Sequence, residues 1–193
     1  MALRAVDDHA AVFAEASGRW NEQLMDQVSG VELVVVDEAV LDELVAVATT
    51  DAAPDEVTPP LGEGWTPDRV EWLRAFHRLR RTGFAGGEEE TAAIRVGGRI
   101  VGAVRLHRSS PQTPDALESG IWLAASWRGR GLSAVVLRLI AERAAAIGAS
   151  RLTARTTATN APAIAALRRA GAIIRHDDDR SVYAEILLDD RRP

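Results

Sequence analysis

The chain contains no cysteine. That alone excludes disulfides, thiolate zinc sites and a cysteine nucleophile, and makes the cytoplasm the expected compartment. No apolar run approaches the roughly 20 residues that span a bilayer, so no membrane partner is expected. No signal peptide is expected, because MALRAVDDHAA turns acidic before an apolar core can form. Basic residues are not in excess: 23 Lys and Arg stand against 28 Asp and Glu, a net charge of −5. This argues against a nucleic-acid partner, which needs a basic face. The four histidines, His9, His77, His107 and His176, share no metal-ligand spacing, so no metal is expected. The Gly-x-Ser-x-Gly elbow of serine hydrolases is missing, and Tyr183 is the only tyrosine. There is no internal repeat and no low-complexity tract.

What is present suits a soluble globular protein. A length of 193 residues, 47% hydrophobic and 26% charged, fits one domain (31–193) with an added N-terminal arm (1–30). Within the arm, Phe13, Ala16, Trp20 and Leu24 recur at helical spacing over 7–28. Two placements are open for it: on its own domain, or on a second copy as a homodimer contact. Val31–Val36 reads as a strand. A helix follows from Asp37, with Val40, Leu41, Leu44, Val45 and Ala48 on one face. Asp51–Gly64 holds three prolines and two glycines and reads as a loop. Thr66-Pro67 opens a helix whose apolar face is Val70, Leu73 and Phe76.

Gly97-Gly98 then joins strands 93–96 and 100–106 as a hairpin. Leu117–Ala124 is another strand. A long helix over 132–147 carries Leu132, Val135, Val136, Leu139 and Ile140 on its apolar stripe and stops at Gly148. A strand at 152–157, a short helix capped by Asn160 and ending before Gly171, and a hairpin around Asp177-Asp178-Asp179 complete the chain. The fold class is α/β of α+β type: a mixed, mostly antiparallel central sheet flanked by helices. The strand–helix–strand crossover implies a parallel pair beside residues 128–133.

Those residues, Arg128-Gly129-Arg130-Gly131-Leu132-Ser133, are the most informative in the chain. They link a strand to a helix. A glycine-rich turn at a helix start points backbone N–H groups at one place, where the helix dipole and two arginines add positive charge, which suits a pyrophosphate. With the downstream Asn160 segment, this stretch resembles the GNAT-type N-acetyltransferases. That family carries Arg/Gln-x-x-Gly-x-Gly/Ala at this turn. Arg128 and Gly131 match, and Ser133 stands in place of the last Gly or Ala. The family's second segment is matched by Asn160, Ala163 and Gly171. Ala166-Leu167 replaces its Leu-Tyr pair, and Ala172 replaces its final aromatic. The likeness in element order runs from Val31 to Leu188.

The resemblance implies a sheet that splays open beside the glycine turn and an acetyl-coenzyme A cosubstrate. The pantetheine arm would lie against Leu123 and Ala125. Arg128, Gly129, Arg130, Gly131, Leu132 and Ser133 would cradle the pyrophosphate, and Asn160 would contact the pantetheine region. The implied reaction is direct attack of an amine, on a small molecule or a peptide, on the thioester. Such a reaction needs a base for the amine proton, a donor for the oxyanion and alignment of two substrates. Glu118 is the base candidate. It lies one residue from the place of the family glutamate, an offset that a β-bulge would restore. His77 and Glu71 are weaker candidates. Leu167 cannot serve as the family's tyrosine acid, so Ser133, a water or Tyr183 would substitute. Trp65 is a candidate acceptor contact, and the acidity elsewhere favours a cationic acceptor. The alternative is a GNAT-fold module that binds acetyl-coenzyme A without catalysis.

Overall fold

The computed structural model describes residues 30–108 and 112–188; the helix expected at 7–28 lies outside them. Among the described residues, seven strands form one sheet in the order β1-β2-β3-β4-β5-β7-β6. They are β1 (Val31–Val35), β2 (Glu89–Val96), β3 (Arg99–Arg108), β4 (Ala116–Leu123), β5 (Arg151–Thr157), β6 (Ile173–His176) and β7 (Ser181–Leu187). The helices are α1 (Glu38–Asp51), α2 (Pro54–Val57), α3 (Pro67–Leu79), α4 (Leu132–Ala146) and α5 (Ala161–Arg169).

Local chemistry sets the helix starts. Asp37 accepts from the Val40 amide at 2.8 Å, and Thr66 accepts from the Arg69 amide at 3.3 Å ahead of Pro67. Each satisfies one of the N–H groups that a helix start leaves unpaired. The whole expected face of α1 is buried. In α3 the innermost residues are instead Arg69, Leu73 and His77, while Phe76 is only half-buried. Two polar side chains can face inward because each finds partners. Arg69 reaches the preceding loop, and His77 Nδ1 lies 3.0 Å from the Thr91 hydroxyl.

That loop is more ordered than its prolines suggest. It contains the single turn α2, and the Arg69 guanidinium donates to Thr58 Oγ1 (2.7 Å), Asp55 Oδ1 (2.6 Å) and the Gly62 carbonyl (2.6 Å).

The two faces of the sheet carry separate cores. Residues of α1 pack with Leu73, Ala93, Ile100 and Ala103 on one face. On the other, Leu137 of α4 packs with Ala166 and Leu167 of α5 and Ala184 of β7. Leu137 is therefore buried and Leu139 only half-buried, because α5 lies against the side of α4 that Leu137 presents. Each such buried leucine contributes about 1.5–3 kcal/mol.

All strand pairs are antiparallel except β4–β5. That parallel pair is short: only Ala116–Ser119 meet Arg151–Ala154. Beyond this point β4 continues along β3 to Leu123, while β5 continues along β7 to Thr157. The sheet splits into a V from Gly120 onward.

Candidate active site

Both lips of the V carry a helix start. The strands are parallel, so their C-terminal ends lie at the same end of the sheet. β4 leads through Ala125–Arg128 to α4, and β5 leads through Asn160 to α5.

The β4 lip is built to receive an anion. Gly129 and Gly131 have φ of 74° and 78°, which other residues rarely adopt. Gly131 caps α4 without any side-chain bond. The Arg128 amide is used by the Ala125 carbonyl, and the Ala134 amide by the Gly131 carbonyl. Between them, the amides of Gly129, Arg130, Gly131, Leu132 and Ser133 meet no acceptor among the described residues. Five consecutive free N–H groups at the positive end of a helix form an anion nest.

The two arginines behave differently. Arg130 lies over the Trp127 ring at 4.8 Å. Arg128 turns away from the nest: Nε donates to the Leu123 carbonyl (3.0 Å), and Nη1 and Nη2 bind Glu56 at 3.0 and 2.6 Å. This pair holds the Glu56 carboxyl below its ordinary range. A second tie runs beside it, from the Ser126 amide to Asp51. The turn is thus fastened to the α1–α3 segment, a link that nothing in the sequence announces.

The walls of the V are backbone. The Ala124 amide donates to Val101 on β3, so by the alternation of an antiparallel ladder the peptide groups of Ile121 and Leu123 face the other way, into the split. The Leu123 carbonyl takes Arg128, leaving its N–H open. On the β5 lip, Asn160 Oδ1 accepts from the Ala163 amide at 3.2 Å, and its NH₂ group remains to donate.

A cleft of about 330 Å³ opens on the α1/α3 face beside the split. Trp72, Phe76 and Trp122 give it aromatic walls, and Arg105, Gly120 and His77 also line it. Trp65 does not line it: its indole N–H is tied to the Ala52 carbonyl at 3.0 Å, so the aromatic contacts there fall to Trp72 and Trp122. A larger cavity of about 570 Å³ lies between β1 and α4, away from the split; Arg81, Glu90 and Arg143 are among the residues that line it.

Glu118 lies on this same sheet face, two residues before Gly120 and outside the cleft lining, with His107 Nε2 3.7 Å from its carboxylate. The β3–β4 register runs without a shift, so no bulge is needed to turn it there. His77 is buried, and its pKa is pushed down to about 4 by burial, with Arg80 and Arg81 adding to the effect. It is neutral at pH 7. Glu71 is exposed on α3, outside the cleft lining. Tyr183 stands opposite Arg155 of β5. Its hydroxyl donates to Glu185 at 3.2 Å, and burial followed by that bond raises its pKa. Leu167 is packed into the α4–α5 core. Asp177 pairs with Arg155, and Asp178 caps the turn through the Arg180 and Ser181 amides, so these two carboxylates are held within the hairpin.

A family model, Acetyltransferase (GNAT) family, matches residues 50–172. The chain belongs to the GNAT family. Solved GNAT structures share its fold. The GNAT domain of S. lividans PAT is 21% identical, with a TM-score of 0.63 over 82% of this chain and 89% of that one. Mycobacterium smegmatis RimJ, in complex with CoA-disulfide, is 18% identical, with a TM-score of 0.69 over 81% of each chain. The microcin C7 self-immunity acetyltransferase MccE, in complex with acetyl-CoA and AMP, is 14% identical, with a TM-score of 0.63 over 84% of this chain and 94% of that one. Compared by sequence with curated proteins, the chain matches none. The sheet that splays beside the glycine turn is the architecture expected of a GNAT acetyltransferase.

Proposed function

We propose that this GNAT protein transfers an acetyl group from acetyl-coenzyme A to an amine on a small molecule or peptide. The observation that carries the reading is the run of five free amides, Gly129–Ser133, at the mouth of a split parallel strand pair. The spacing suits a diphosphate at the turn and an extended amide-bearing arm along Ile121 and Leu123, whereas Ala125, expected beside Leu123, starts the turn after β4 and gives its carbonyl to the Arg128 amide. Bound acetyl-coenzyme A supplies the acyl group as a thioester, whose thiol has a pKa near 8–9 and leaves without obligatory protonation.

The chain's own groups supply the rest. The Leu123 N–H faces the split and can donate to a developing oxyanion. Glu118 accepts the amine proton, directly or through water. Asn160 donates from the opposite lip. Tyr183, protonated and giving its one hydrogen to Glu185, turns from that carboxylate to act as the hydroxyl donor, because Leu167 has none. The aromatic cleft holds the acceptor against the open edge of β4, and positioning of this kind lowers the barrier substantially by itself.

The test is a thiol-release assay across a panel of amines, with calorimetry for coenzyme A. Saturable release with an acceptor, abolished in Glu118→Gln, supports the reading. Absence of coenzyme A binding by folded protein overturns it. The burial of Leu167 among Leu137, Ala166 and Ala184 favours one rival, a cofactor-binding module without turnover. That rival predicts thermal stabilisation by coenzyme A and no release with any amine.

A further inference from the structure

We propose that the cleft selects amines that also carry a carboxylate, and that Arg105 is the residue that recognises it. This deepens the acetyl-transfer reading and rests on it for the position of the amine. The chain as a whole is acidic, but the wall of the cleft is not. Arg80 and Arg105 both bind one carboxylate, that of Glu89, on its two oxygens. Two cations share one anion, so the triad keeps one positive charge. Its members are only partly buried, with side-chain exposures of 22%, 35% and 27% for Arg80, Arg105 and Glu89. The acids that line the cleft are already paired, and Glu118, beside it on the same face, stands next to His107 rather than Arg105. Asp55 is held by Arg69 and Glu56 by Arg128, while His77 is neutral.

Arg105 is the member that reaches the cleft. It spends Nη2 on Glu89 (2.7 Å); Nε is buried without an acceptor, and Nη1 has no partner among the described residues. A guanidinium with one of five donors used is underemployed for a half-buried position. The space it faces is kept open. Arg105 is paired across the ladder with Gly120, and a Cβ built on Gly120 would meet nothing within 4 Å. Gly120 also marks where β4 parts from β5, and Glu118 lies two residues before it on the same face. An acceptor lying over Gly120 therefore has its amine near the split and Glu118, and an anionic group near Arg105. A simple polyamine with its amine at Glu118 would set its second cation against Arg105.

Matched probes decide this. The thiol-release assay is run with glycine, β-alanine, 4-aminobutanoate, 5-aminopentanoate and the dipeptide Ala-Glu, each beside its amide. Acids should be preferred by roughly ten- to hundredfold in kcat/KM, the range of a charge-assisted hydrogen bond. Arg105→Gln should erase the preference through KM and leave coenzyme A affinity unchanged. Arg105→Lys should restore part of it. Equal use of acids and amides, or an equal loss on both in Arg105→Gln, overturns the proposal. Should no amine release thiol, the transfer reading fails separately. The subsite is then judged by calorimetry with N-acetylated forms of the same probes and coenzyme A present. Tighter binding of the acids, lost in Arg105→Gln, supports it, and no discrimination between acid and amide refutes it.

Discussion

Gly102→Ala is the substitution that tests the split sheet most directly. Gly102 faces Leu123, the last residue of β4, across the β3–β4 ladder. It also adjoins an irregularity on its other side, where the β2–β3 register shifts between Ile94 and Arg95. Between the two, β3 runs so close to β4 that a Cβ on Gly102 would lie 2.2 Å from the Trp122 carbonyl oxygen and 3.0 Å from the Leu123 Cα. The obstacle is backbone, which cannot rotate aside. To reach ordinary contact the strands must part by about 1 Å. Overpacking of this kind costs about 1–3 kcal/mol, and straining the Ala124–Val101 bond adds up to about 1 more, so about 1–4 kcal/mol is expected.

Gly120→Ala is the matched control, since nothing lies near that position. It should fall within about 0.5 kcal/mol of the parent or gain slightly from a stiffer unfolded chain. Denaturant midpoints at constant m measure both. Activity should reverse the contrast with stability. Gly120→Ala narrows the cleft and should raise the acceptor KM with coenzyme A affinity intact. Gly102→Ala should weaken coenzyme A binding as well, because it moves the Leu123 amide. A Gly102→Ala protein as stable as Gly120→Ala would refute the reasoning.

The other expectations are briefer. Gly131→Trp fills the nest at a local backbone cost of about 1–2 kcal/mol for its φ of 78°, and should abolish thermal stabilisation by coenzyme A; unchanged affinity by calorimetry would move the phosphate site elsewhere. Glu56→Gln should cost less than about 1 kcal/mol, since both members of the Glu56–Arg128 pair are 44% exposed. It should tighten coenzyme A binding by freeing the Arg128 charge, whereas weaker binding would show that the pair holds the turn in shape. Arg69→Met should leave global unfolding little changed but make residues 53–64 sensitive to protease, because the Asp55, Thr58 and Gly62 ties all end on that side chain. His77 gives the pH dependence. Its folded pKa of about 4 lies below the ordinary 6.5, so between these values the unfolded chain binds a proton that the folded one refuses. Stability therefore falls as pH drops from about 6.5 to about 4, by about 3 kcal/mol at most. His77→Gln should flatten that slope, leaving only the carboxylate-driven loss at lower pH.

The features legible along the chain are local ones. Helix caps at Asp37, Thr66 and Asn160, the Gly97-Gly98 hairpin and the glycine turn before α4 depend on residues within a few positions of one another. Their chemistry could be read in order along the chain, and so could the family likeness those motifs carry. Tertiary structure decided everything that depends on residues far apart in sequence. Neither the length of the β4–β5 contact, which places the V at Gly120, nor the Glu56–Arg128 tie across 72 positions leaves a periodic trace. Nor does the pairing of Arg80, Glu89 and Arg105 around one cleft. Charge and polar burial are settled by which partners arrive, and arrival is a property of the folded chain.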